Sequence, residues 1–266
     1  MAKATKNEVK PLVIPAVSVG QVEVWLRGSS PLIFNCMSEK ARRELLYPGK
    51  KSRADRDQSL KHEPLEEYRA SVYRTIDAGG ETLLVMPSTA IKAALMASAV
   101  EVPDVYKSQI GRLIWVQGAE APVWGVPQVL MSVVRSAGMN RTPDIRTRAI
   151  LPQWCCRAAI RFVQPTVNEM VVANLLNMAG LVIGLGDFRQ EKGKGSFGQF
   201  ELCEASDVQA LIKSGGRAAQ EKALNEPSFY DHETRQLYTW YVAEQQRRGE
   251  KNKTAAAKSR VRAAAG

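Results

Sequence analysis

Histidine is nearly absent from this chain: His62 and His232 are the only two among 266 residues. Neither stands beside a nucleophile or a metal-ligand motif, and acid–base chemistry near neutral pH draws on histidine or on a perturbed carboxylate pair. The carboxylate pairs present, Asp55/Asp57 and Glu66/Glu67, lie in charged sequence and read as surface. Cysteine is also scarce. Cys36, Cys155, Cys156 and Cys203 form no C-x-x-C pair, which argues against a zinc site and a disulfide framework and leaves small apolar residues in a reducing compartment. No apolar run reaches the roughly 18 residues of a membrane span, and the first residues carry lysines without an apolar stretch. The expectation is a cytoplasmic protein with no membrane partner, no cofactor, no metal site and no catalytic residues. An RNA-processing endonuclease is the nearest enzymatic alternative.

What the chain has in plenty is segregated positive charge. The whole carries +10, with 45% hydrophobic and 24% charged residues, the profile of a folded protein. Segments 40–61, 135–161 and 247–262 alone carry +5, +5 and +6, so the remainder is net acidic. An acidic body with basic segments is the electrostatic footprint of a polyanion binder.

Along the chain, residues 1–16 read as a flexible lead and 17–203 as a core. Alternation of Val22, Val24 and Leu26 with Glu23, Trp25 and Arg27 predicts a first strand from about 17 to 27. A short helix follows Ser38, then a charged insertion at about 47–64. A helix at 65–73, a strand at 82–86 and a strong helix at 89–100 come next, with short strands at 110–116 and 123–125. An extended, thumb-like hairpin is expected within an insertion at about 126–153. The clearest unit starts at Trp154: a strand with Arg157 and Arg161 on its polar face, an amphipathic helix at 169–183, a glycine-rich loop, and a strand at 198–202. Such a β-α-loop-β unit is half of a ferredoxin-like βαββαβ fold, and 17–27, the helices after it and 82–86 are assigned to the other half. The fold class is therefore α+β, RRM-like, with a helical extension at 204–250 and a basic tail at 251–266 expected to be disordered.

The loop itself runs Gly184-Leu-Gly186-Asp-Phe-Arg189-Gln-Glu-Lys192-Gly193-Lys194-Gly195-Ser-Phe-Gly198. It is not a Walker A sequence, because no glycine has another five positions on followed by Lys and Ser or Thr. Gly193, Gly195 and Gly198 do satisfy G-x-G-x-x-G, yet a helix precedes and a strand follows, the reverse of a dinucleotide-binding turn. Glycines leave backbone amides unhindered, and runs of amides make anion sites; Arg189, Lys192 and Lys194 lie in the same loop.

A helix, G-x-G, a basic spacer and G-x-G-x-x-G-x-Phe before a closing strand resembles the glycine-rich loop of the repeat-associated (RAMP) superfamily. Within it, the sequence is most similar to the repeated backbone subunits of Cascade-type CRISPR effector complexes. The opening strand ending in Gly28-Ser-Ser-Pro31-Leu-Ile is similar too. The resemblance implies an RRM-like core with an inserted thumb, assembling head-to-tail into a filament on a single strand, with neighbouring copies of itself and other subunits of a ribonucleoprotein as partners. Target-cutting relatives use an aspartate in the loop after the first strand. Residues 29–37 here offer Asn35 and no carboxylate, so that activity is not carried over. The basic tail departs from the family pattern. A bacteriophage single-strand-binding or annealing recombination protein on the same fold would look alike, and a structural subunit of a phage or mobile-element assembly is a further alternative.

The expected function is sequence-independent binding of single-stranded nucleic acid through its backbone, RNA ahead of DNA. Arg135, Arg141, Arg146, Arg148, Arg157, Arg161, Arg189, Lys192 and Lys194 would neutralise phosphates, Gly193, Gly195 and Gly198 would offer amides, and Trp25 would add stacking from an exposed position.

Overall fold

The computed structural model describes residues 16–46, 62–135, 143–192 and 195–264. The expected lead before residue 16, most of the insertion at 47–64, and the sites Arg141, Gly193 and Lys194 fall outside these residues. In chain order the elements are β1 (Ser18–Gly28), β2 (Leu32–Ile33), α1 (Glu39–Leu46), α2 (Pro64–Ala70), β3 (Val85–Pro87), α3 (Ser88–Ser98) and α4 (Lys107–Leu113). They continue with β4 (Ile114–Val116), β5 (Glu120–Trp124), β6 (Gln128–Arg135), β7 (Pro143–Leu151), β8 (Cys155–Gln164), α5 (Glu169–Met178), β9 (Phe200–Cys203), α6 (Gln209–Ser214), α7 (Arg217–Asn225) and α8 (His232–Ala264).

The central sheet has the order β3-β5-β8-β1-β9, with β4 also paired to β8. All of its pairings are antiparallel; β1 runs along β8 from Ser18 opposite Gln164 to Arg27 opposite Cys155. With β1 and β8 in the middle, β9 on one flank and β4/β5 on the other, this is the ferredoxin-like βαββαβ arrangement predicted from sequence. Two assignments are corrected: residues 110–113 of the strand expected at 110–116 belong to α4, and the core strands are reassigned. The second core strand is β4/β5 and the first crossover is α3 with α4; the strand expected at 82–86 is instead the short edge strand β3, paired to β5.

The alternation read in β1 and β8 explains the layering. Leu26, Cys156, Ala158, Ile160 and Phe162 face a core closed by Ile91 and Leu95 of α3, Ile110 of α4, and Val172, Leu175 and Leu176 of α5. Ser98 Oγ contacts the carbonyls of Leu95 and Leu175 at 2.9 and 3.1 Å and so ties α3 to α5. α5 starts where Asn168 accepts the Val171 amide at 2.9 Å. It runs into a wider turn, Ala179–Ile183, that delivers the chain to the glycine-rich loop. The opposite face of the sheet holds a second, smaller cluster, in which α6 and the turn before it place Val208, Leu211 and Ile212 over Trp124 and Cys155.

The hairpin predicted between 126 and 153 is β6–β7, paired from Gln128 opposite Ile150 to Arg135 opposite Pro143. β2 joins it through Leu32–Leu151 and Ile33–Ile150, making a second, three-stranded sheet. α2 braces its base. Tyr68 is buried, with its hydroxyl 3.1 and 3.0 Å from the carbonyls of Pro127 and Ala223, and Ser71 Oγ accepts the Ala149 amide at 2.8 Å. α8 lies along β6, where Thr234 Oγ1 accepts the Met131 amide at 3.2 Å. The same helix continues to Ala264, across the stretch that composition assigns to disorder. Alanine and the long basic side chains there are strong helix formers, and α8 already supplies the nucleus. The helix α7 has no counterpart in the sequence reading.

Candidate nucleic-acid interface

The glycine-rich loop folds back on the segment that leaves β1. The Leu185 amide donates to the Gly198 carbonyl at 2.8 Å, the Gly198 amide to the Pro31 carbonyl at 2.8 Å, and the Asp187 amide to the Ile33 carbonyl at 2.9 Å. Gly198 sits at φ +73°, and a Cβ there would overlap the Leu185 carbonyl oxygen. A Cβ at Gly195 would overlap the Phe188 carbonyl in the same way. At these two positions glycine serves close backbone approach within the loop. The Gly198 amide is consumed by Pro31 and is not offered to an anion, contrary to the sequence expectation for it.

Arg189 of the loop is anchored too. Arg189 donates to Glu191 Oε2 at 2.8 and 2.6 Å and to the Gly186 carbonyl at 3.2 Å. Lys192 closes the short turn Gln190–Lys192. Asp187 turns the other way and meets Arg148 of β7 at 3.0 Å, while Arg148 also reaches the Phe34 carbonyl at 3.4 Å. Burial lowers the Arg148 guanidinium from the ordinary arginine range; the Asp187 carboxylate opposes that effect and Arg146 adds to it.

This bridge brings the loop to the base of the hairpin, and other residues gather around it. Tyr73 donates its hydroxyl to Asn35 Oδ1 at 3.3 Å and packs edge-on against Phe34. Burial, then the nearby Cys36, raises the Tyr73 phenol, against Arg148 and Arg42. Arg42 is exposed on α1 beside Cys36. Polar groups from five separate stretches of chain thus meet here: Asn35 after β2, Arg42 on α1, Tyr73 after α2, Arg148 on β7 and Asp187 in the loop. Of these, sequence reasoning had selected Arg148 alone as a binding residue. Tyr73 and Asp187 carry no local signal; only the pairing of β2 with β7 brings them together. Arg146 is exposed on the same strand as Arg148, and Arg135 ends β6.

No family model matches the sequence, and no curated protein matches it. Among solved structures, the chain is similar to part of the type III-B Cmr-beta complex bound to cognate target RNA (TM-score 0.37, 13% identity, 70% of this chain and 59% of that one). It is also similar to Cmr6 from Pyrococcus furiosus (TM-score 0.35, 8% identity, 70% of this chain and 98% of that one). The chain thus spans 59% of the length of the first of these.

The remaining predicted residues lie apart from the loop, on the outer face of the central sheet. Trp25 is half-buried, not exposed, with its ring centroid 5.1 Å from that of buried Trp124. The Arg157 guanidinium lies over both rings, at 5.6 and 5.5 Å, and pairs with Glu81 at 3.3 Å. Arg161 lies over Trp115 at 5.5 Å, and its buried Nε has no hydrogen-bond partner. Trp115 and Trp124 were absent from the sequence-based selection; alternation within β4 and β5 could have put both on this face.

Of the two histidines, His232 is exposed at the start of α8. His62 has Nδ1 2.7 Å from Glu67 and Nε2 2.9 Å from Asp144, which ties the start of α2 to the hairpin. Among the described residues no group of three or more His, Cys, Asp or Glu could hold a metal ion, and no helix is long and apolar enough to cross a membrane.

Proposed function

We propose that this protein binds single-stranded nucleic acid without sequence preference, the strand's backbone lying across the polar cluster between the glycine-rich loop and the base of the β6–β7 hairpin. The observation that carries the reading is the Arg148–Asp187 bridge at 3.0 Å, which joins two segments singled out separately in the sequence, one for its arginines and one for its glycines. Arg146, Arg148, Arg42 and the basic loop residues supply phosphate contacts there, and Asn35 and Tyr73 supply neutral polar ones. The function is binding and not catalysis; the loop after the first strand, residues 29–37, offers Asn35 and no carboxylate.

The natural ligand is RNA ahead of single-stranded DNA, and copies of the chain sit side by side along it, in the manner of a RAMP-type backbone subunit in a CRISPR ribonucleoprotein. The ferredoxin-like order of the sheet, the inserted hairpin and the loop motif support this together.

The test is a fluorescence-anisotropy titration of labelled single-stranded RNA, single-stranded DNA and duplex DNA of equal length across a salt series. Single strands should bind with a log–log salt slope of about −0.7 for each phosphate neutralised. Absence of binding to all three at low salt would remove the reading. Discrete fragments of the RNA on a denaturing gel would replace it with a nuclease.

A further inference from the structure

We propose that the outer face of the central sheet is a second contact surface that takes the bases of the single strand by stacking, on two shelves built from arginine and tryptophan. The proposal rests on the single-strand reading above and assigns that strand a base-contacting surface apart from the backbone site.

The shelves are Arg157, laid over Trp25 and Trp124 at 5.6 and 5.5 Å, and Arg161, laid over Trp115 at 5.5 Å. In each, the guanidinium carbon lies over an indole ring. The sheet face around them is open where α6 ends its cover: Gln21 and Glu23 of β1 are exposed, and the Arg157 side chain is 34% exposed. A guanidinium plane backed by an aromatic ring is a surface on which an unpaired base stacks.

Charge favours bases over phosphates here. Arg157 is matched by Glu81 at 3.3 Å, and Arg27 of the same face by Glu201 at 2.9 Å. A face whose positive charges are already paired makes a poor phosphate track but keeps its stacking planes. Arg161 is the exception, and its unpartnered Nε leaves a donor that its surroundings do not satisfy.

Spacing then selects the form of the ligand. Arg157 and Arg161 are four residues apart on β8, about 13 Å at roughly 3.3 Å per residue. Stacked nucleotides are separated by about 3.4 Å. Bases on the two shelves therefore belong to an extended, unstacked strand, which a duplex cannot present.

The decisive comparison uses the full-length protein and three labelled RNA strands of equal length: intact, abasic throughout, and annealed to its complement. The abasic strand keeps the phosphates and loses the bases. Intact strand should bind the wild-type protein about tenfold or more tightly than abasic strand, as expected for one or two stacked bases. It should also quench tryptophan fluorescence. Arg157→Lys with Arg161→Lys preserves charge but removes the planar shelf; it should bring the intact-to-abasic ratio towards one. Trp115→Ala should lower the ratio as well, with near-UV circular dichroism reporting that the fold persists. Equal affinity of the wild-type protein for intact and abasic strands would overturn the stacking proposal while leaving backbone binding in place. An unchanged ratio in the double lysine variant would overturn it too. If neither strand bound, the reading beneath it would fall and the stacking surface with it.

Discussion

Arg148 of β7 and Asp187 of the glycine-rich loop meet at 3.0 Å, and their pairing fixes the hairpin base against the loop. The pair also restrains the charge that a strand would use. Arg148→Ala should weaken binding of every single strand alike and make the salt slope shallower by about 0.7. Asp187→Asn should do the reverse and tighten binding, because the guanidinium is released. Asp187 is more than a third exposed, so its loss should change stability by no more than about 1 kcal/mol. Anisotropy titrations of both variants check this; tighter binding by Arg148→Ala would put the strand elsewhere.

Gly198 is held at φ +73° against the Leu185 carbonyl. Gly198→Ala should destabilise the protein by more than about 1 kcal/mol, through strain and not through a lost ligand contact. Thermal unfolding should show a drop of roughly 2–4 °C per kcal/mol for a chain of this size. An alanine variant as stable as the wild type would contradict the loop geometry.

Gln220 is fully buried and serves five backbone groups. Its Oε1 accepts from the amides of Leu83 and Leu84 at 2.8 and 3.0 Å, and its Nε2 faces the carbonyls of Val123, Gly125 and Gly215 at 2.8, 3.3 and 2.9 Å. Gln220→Leu fills similar space but takes away the acceptor of the Leu83 and Leu84 amides and the side-chain donor to the Val123 carbonyl; the Gly215 carbonyl keeps the Gly125 amide at 2.9 Å. At about 1–3 kcal/mol for each buried group left unsatisfied, it should be among the most damaging single changes. A urea unfolding midpoint close to that of the wild type would show that other groups or water take over.

Burial under Trp124 and α6 pushes the Cys155 thiol up to about 12 from 9.0, with a smaller contribution from Cys203. A raised pKa means that the folded state holds the proton more tightly than the unfolded one. This contribution to stability is complete below about pH 9 and is lost as pH rises from there towards 12. Stability should therefore decline on the alkaline side, and Cys155→Ala should flatten that decline. Alkylation at pH 8 should spare Cys155 until the chain unfolds; rapid native-state labelling would show the cluster to be open.

The sequence made the half of the fold beginning at Trp154 legible because its signals are local. Alternation in β8 and the amphipathic spacing of α5 each act within a few residues, and side-chain geometry ties them directly to strand or helix. The first half was harder. Four helices and two short strands of the described residues lie between β1 and β4, so alternation alone places the strand at 82–86 in the core when it lies at the sheet edge. Strand pairing is a long-range choice that alternation does not specify. Ala-rich sequence beyond 250 was assigned to disorder for lack of an apolar stripe, although helix propensity pointed to the continuation of α8.

By itself, then, the sequence determined the layers: which faces of β1, β8 and α5 are apolar, where positive charge is concentrated, and where glycine permits backbone to approach backbone. Composition and spacing decide these, because desolvation and steric exclusion act residue by residue. Only the tertiary structure decided which charges remain available. It paired Arg148 with Asp187, Arg157 with Glu81 and Arg189 with Glu191, and laid Arg157 and Arg161 on tryptophans from three other strands. An arginine read from sequence is a full positive charge. Its reach towards a strand depends on which carboxylate or ring the fold sets beside it, and most of these partners are far away along the chain.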